Sequence, residues 1–197
     1  MIKIEDYEIL KNNMSNLKEL SKDDSDRTKI QYMTNSLLAA VDFDNVKTQY
    51  TNALGLTEEV ASSFDALVYC ADSMTFIEFK NGKMKNEKKQ VKNKIRDSLL
   101  IFCDIIKKNI SYTRENIDFI LVYNQNKNPE SNQISKKQIF DSPSRENISQ
   151  YFLAKGKQEF IRFDLERFQK LYFRKVHTYT EKEFQEYLLS KFKLETL

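Results

Sequence analysis

Apolar positions in the first forty-one residues recur every three or four places: Tyr7, Leu10, Met14 and Leu17, then Ile30, Met33, Leu37, Leu38 and Val41 after the polar break Ser21 to Asp26. That is the repeat of one helical face, so two amphipathic helices are expected. The pattern then changes period. Phe64-Asp65-Ala66-Leu67-Val68-Tyr69-Cys70-Ala71 and Met74-Thr75-Phe76-Ile77-Glu78-Phe79-Lys80 are short apolar runs rich in β-branched and aromatic residues, with Asp72 and Ser73 between them. They predict an antiparallel hairpin. Asn81-Gly82 supplies a turn, and Val91, Ile95, Leu99, Phe102 and Ile106 then mark one face of a helix over about residues 86–108. Ile117 to Tyr123 is nearly all apolar, as a central strand covered on both faces should be. Hairpin, helix and buried strand in that order predict a βαβ crossover.

Residues 124–144 hold both prolines among many Asn, Ser and Lys residues and are expected to form a long exposed loop. Helical spacing returns at Ile148, Tyr151 and Phe152 and again at Leu165, Phe168, Leu171 and Tyr172. A β-like segment, Lys175 to Tyr179, leads into Thr180-Glu181-Lys182-Glu183, a capping box that predicts a helix to about Phe192. The C-terminal aromatics alternate with Arg162, Arg167, Lys170, Arg174 and Lys175 and could stack bases. Their spacing is that of a buried stripe, so core packing is favoured. The expected class is α/β (α+β) in one domain over 1–197, with a core at about 27–123 and a C-terminal helical extension at about 145–197.

The hairpin carries the candidate chemistry. With its turn at Asp72 and Ser73, Asp65 falls near Lys80 and one pair from Glu78, and all three share a face because side chains alternate along a strand. Two carboxylates from adjacent strands suit a hard divalent cation, and such a cation activates water against an anionic phosphodiester. Lys80 can then orient that water or stabilise developing charge. From Lys83 to Arg96 the next segment has seven basic residues, Lys83, Lys85, Lys88, Lys89, Lys92, Lys94 and Arg96, against one acid, Glu87. This cationic face flanks the acids where a phosphate backbone would lie. Gln90 and Lys94 share one face of the helix and could reach the site.

Composition narrows the alternatives. The chain has 197 residues, 40% hydrophobic, with a net charge of +3, enough for one core and only mildly basic. A single histidine, His177, argues against triads and His-metal clusters, and the three glycines Gly55, Gly82 and Gly156 cannot make a phosphate-binding loop. Cys70 and Cys103 lie in apolar runs and read as buried free thiols. No apolar run is long enough to span a bilayer and no signal peptide is evident, so no membrane association and a cytoplasmic location are expected.

The order Phe64-Asp65-Ala66-Leu67, turn, Phe76-Ile77-Glu78-Phe79-Lys80-Asn81-Gly82 and long basic helix resembles the core of the PD-(D/E)xK, or restriction-endonuclease-like, nuclease superfamily. Phe64 stands where many members carry a proline. The resemblance implies a mixed sheet of about four strands flanked by helices, with Arg27 to Val41 as the preceding helix and Asn45 to Tyr50 as a candidate first strand. It implies Asp65, Glu78 and Lys80 as catalytic residues and Asp65, Glu78 and Phe79 as ligands of Mg²⁺ or Mn²⁺. Lys85, Lys88, Lys89, Gln90, Lys92 and Lys94 would contact nucleic acid, with DNA favoured over RNA. The competing expectation is a non-catalytic interaction protein, immunity or antitoxin-like, in which the same charges bind a protein partner.

Overall fold

A computed structural model describes residues 2–25, 28–70, 73–129 and 161–192. Ala66–Cys70 (β5) and Ser73–Lys80 (β6) form the expected antiparallel hairpin. The register is two residues away from that of a turn at Asp72 and Ser73: Cys70 pairs with Ser73 and Ala66 with Ile77. Ser73 is buried and belongs to the strand, leaving residues 71 and 72, outside the described residues, as the connection. Extending the ladder one pair beyond Ala66 sets Asp65 opposite Glu78 rather than near Lys80. The shared face survives, because a shift of two preserves alternation.

The chain crosses from β6 to Ile117–Tyr123 (β7), its parallel neighbour, through a long helix, Met84–Ile105 (α4), and a short one, Ile110–Asn116 (α5). Lys175–Thr180 (β8) adds to β7 in parallel. On the other side Ala39–Asp42 (β4) lies antiparallel to β5, and Met14–Asn16 (β1) antiparallel to β4. The result is mixed α/β with a six-stranded mixed sheet in the order β1-β4-β5-β6-β7-β8, two strands more than expected. Lys22–Asp23 (β2) and Gln31–Tyr32 (β3) make a separate two-stranded piece.

Alternation along the strands builds a core on each side. Phe64, Leu67, Phe76, Phe119 and Leu121 face α4, where Phe43–Phe76 and Phe64–Phe119 ring centroids lie 4.9 and 4.8 Å apart. Ala66, Val68, Ile77, Phe79, Ile120 and Val122 face the other way, against Phe184 and Leu188 of Glu181–Phe192 (α6). α6 begins with the expected capping box: Thr180 N–H donates to Glu183 at 2.8 Å and Glu183 N–H to Thr180 Oγ1 at 3.2 Å.

These two cores explain why the N-terminal helices fail. Leu10 packs in the first core and Leu17 in the second, as do Val41 and Met33 respectively, so neither pair can lie on one helical face. Only four-residue helices survive, Glu8–Lys11 (α1) and Leu17–Leu20 (α2), with β1 between them. The preceding helix is Phe43–Ala53 (α3) rather than Arg27 to Val41, and it absorbs Asn45 to Tyr50, the candidate strand. Asp42 starts it by accepting the Asn45 N–H at 3.0 Å.

At the C-terminal end, Leu165 and Phe168 are buried on a single 3-10 turn, Glu166–Phe168, and the positive φ angles of Phe163, Asp164 and Lys170 end any longer helix. β8 lies within the sheet, not in a helical extension. Residues 130–144 of the loop and the trio Ile148, Tyr151 and Phe152 lie outside the described residues. Among the described residues no helix is long and apolar enough to cross a membrane.

Candidate metal centre

Helix α4 grips the segment entering β5 at three points. Asp97 accepts the Ser62 N–H at 2.9 Å, Ser98 Oγ accepts the Phe64 N–H at 2.8 Å, and Lys94 Nζ donates to Asp65 Oδ1 at 3.0 Å. From the other side Phe79 N–H donates to Asp65 Oδ2 at 2.6 Å. The Asp65 carboxylate is thus positioned by a helix and a strand at once, and both supports are rigid. Glu78 is fully buried and aims at the same point, with Lys94 Nζ 2.9 Å from Oε1 and 3.0 Å from Oε2. Asp65 and Glu78 therefore converge on one cation, and that cation is Lys94.

Lys80 stands beside this pair. Its Nζ lies 3.1 Å from Glu78 Oε1 and 3.4 Å from Glu87 Oε2, and it donates to Gln90 Oε1 at 2.9 Å. Despite two ammonium groups nearby, Glu78 Oε1 accepts no well-directed hydrogen bond among the described residues. Burial, and next the charge of Asp65, push the Glu78 carboxyl up to about 7. Burial also raises Asp65, against the lowering effect of Lys94. Lys94 moves upward despite its own burial, held protonated by Asp65 and Glu78.

Two further acids went unnoticed in the sequence. β4 ends at Asp42, beside the start of β5, and Asp44 on the first turn of α3 bonds the Ser63 hydroxyl. Burial raises Asp42, with Asp44 and Asp65 adding repulsion. The available signal was Asp42-Phe43-Asp44-Asn45 after an apolar stretch, a strand end followed by a helix cap. Asp42, Asp44, Asp65, Phe79 and Lys80 line a cavity of about 560 Å³ whose rim adds Glu19, Asp23, Glu87, Lys22 and Lys127. Four carboxyls, Asp42, Asp44, Asp65 and Glu78, stand near only two ammonium groups, Lys80 and Lys94, and burial raises three of the four, Glu78 to about 7. An anionic phosphodiester is repelled by such a cavity unless a cation intervenes.

The residues fit a hard divalent ion on two counts: two carboxylates from adjacent strands converge on one cation position, and four carboxyls stand near only two ammonium groups. Among the described residues no three Asp, Glu, His or Cys side chains gather as a ready metal cluster. Mg²⁺ does not require one, since it binds through one or two carboxylates and keeps several waters. Phe79 can contribute only its main-chain carbonyl, since its ring has no donor atom, and that ring packs on Phe184 with centroids 5.8 Å apart.

The basic residues of α4 divide into groups. Gln90 and Lys94 face the acids, bonded to Lys80 and to Asp65 and Glu78. Lys88 pairs with Asp164 at 3.0 Å, and Lys92 acts on the same carboxylate. Lys85 and Lys89 are exposed, as are Lys83 and Arg96. Lys85, Lys89, Lys92 and Arg96 follow steps of four, three and four, a single stripe roughly half a turn round the helix from Lys94. Of the remaining candidates, Cys103 is half-buried and its thiol is raised by that burial, while His177 Nδ1 lies 3.1 Å from the Tyr179 hydroxyl. No family model, no curated protein and no solved structure matches the chain.

Proposed function

We propose that the protein is a divalent-metal-dependent nuclease whose centre is Asp65, Glu78 and Lys80. The observation that carries the reading is the convergence of two carboxylates from neighbouring strands, Glu78 fully buried and Asp65 partly so, on one cation position at the edge of an acidic cavity. Asp65 and Glu78, with the Phe79 carbonyl, would hold Mg²⁺ or Mn²⁺. Such an ion lowers the pKa of its water and offsets phosphodiester charge. Lys80, oriented by Gln90 and Glu78, would donate hydrogen bonds to the reacting phosphate from a preorganised position. Gln90 supports Lys80 and so belongs to the positioning of the site. Nucleic acid, with DNA favoured, would meet the centre from the cavity side, where Lys22, Lys80 and Lys127 stand, because the stripe Lys85, Lys89, Lys92 and Arg96 lies about half a turn round α4 from Lys94 and the acids.

Lys94 favours a second reading as well. It balances both carboxylates without a metal, as a non-catalytic interaction protein on such a scaffold would require. Calorimetric titration with Mn²⁺ separates the two readings. The nuclease reading predicts one saturable site that disappears in Asp65→Asn while the variant keeps its far-UV circular dichroism. Absence of any Mn²⁺ binding by the folded wild-type protein would eliminate it in favour of the interaction protein.

A further inference from the structure

We propose that Lys94 is a resident counter-ion that a divalent cation must displace, so that this lysine gates metal loading of the centre. The inference rests on the metal-site reading above and adds a regulatory element to it. Among the described residues Lys94 alone bridges both acids, at 3.0 Å from Asp65 and 2.9 Å from Glu78, whereas Lys80 approaches Glu78 and Glu87. Its side chain is only 12% exposed, so the ammonium fills the convergence point rather than hovering over it. Two cations cannot share that point, since the repulsion between them at such separation in a buried site is large.

Lys94 rises from a helix that Asp97 and Ser98 pin to the strand entry, so its backbone cannot retreat. Release must come from rotation of its flexible four-carbon stem. An ammonium leaving both carboxylates needs a new anionic partner; Asp44 already acts on it, but an ammonium moved there stays beside the incoming divalent ion. A phosphate of the substrate, bound at the mouth of the cavity, would draw the ammonium away from the metal position. Metal and nucleic acid therefore bind with positive coupling, each easing the displacement of Lys94 that the other requires. Without nucleic acid, metal affinity is reduced by the fraction of time that Lys94 is away. A lysine absent about a tenth of the time imposes about a tenfold penalty.

The test is Mn²⁺ affinity and metal-free melting temperature for wild type and Lys94→Met, which keeps length and removes charge. The proposal predicts that Lys94→Met binds Mn²⁺ at least about tenfold more tightly. It also predicts a lower melting temperature in chelator that Mn²⁺ restores. Equal or weaker Mn²⁺ binding by the folded variant overturns it. If Lys94→Met does not fold in chelator, adding Glu78→Gln removes one charge of each sign. Recovery of folding in the double variant supports the counter-ion role, and failure to recover refutes it. The outcomes separate from those of the nuclease reading. Wild type that binds Mn²⁺ and cleaves, with no tighter binding in Lys94→Met, sinks the gate alone. Tight Mn²⁺ binding by Lys94→Met with no cleavage by either protein sinks the nuclease alone.

Discussion

Glu78 carries a cost that a purely structural residue would not. Its carboxyl is fully buried and raised from 4.5 to about 7, so the folded state binds the proton more tightly than the unfolded chain does. Stability from this group is therefore lost as pH rises from 4.5 through about 7, the reverse of a salt-bridged surface acid. In chelator, Glu78→Gln should melt higher than wild type at pH 8, and the advantage should vanish near pH 4.5. A lower melting temperature for the variant at pH 8 would refute this account of the site's electrostatics. The triad was legible as residue types: two acids and a lysine closing an apolar run. Asp42 and Asp44 were not, because their approach to Asp65 depends on β4 pairing with β5, a non-local contact that no local spacing encodes.

Among elements, α4 does the most to assemble the centre. Ser98 Oγ is the acceptor for the Phe64 N–H, both are buried, and the bond fixes the residue before Asp65. Ser98→Ala would leave that N–H without a partner and should cost about 1–3 kcal/mol in chemical denaturation. It should also weaken Mn²⁺ binding, and unchanged affinity would mean that Asp65 is positioned by Phe79 and Lys94 alone. The basic stripe has a separate expectation. If Lys85 and Lys89 contact phosphates, replacing both by alanine should lower the salt slope of duplex binding by about two units. An unchanged slope would assign those lysines to solvent. Helix α4, strand β7 and the start of α6 were legible because each is encoded locally: a helical period over several turns, an unbroken apolar run, and a four-residue capping box. The N-terminal helices misled because Leu10 and Leu17 keep helical spacing while packing on opposite sides of the sheet.

At the scale of the molecule, six strands and two cores place an acid-lined cavity where β4 ends and β5 begins, with Asp42 and Asp65 in its wall and Glu78 behind Asp65 on β6. The β6–α4–α5–β7 crossover was readable in outline. The flanking strands β1 and β4 were too short to show a period of two, and β8 looked like a link between helices until its parallel pairing with β7 made it part of the sheet. The account requires the carboxyls of this cavity to be met by a divalent ion and then by a phosphodiester. Cleavage measures that most directly: purified wild type and Glu78→Gln, prepared in parallel, incubated with linear and single-stranded DNA and with RNA in Mn²⁺ or in chelator. The account predicts metal-dependent cleavage of at least one substrate by wild type, abolished in chelator and in Glu78→Gln. Equal cleavage by both proteins, or none by wild type with Mn²⁺ bound, would contradict it.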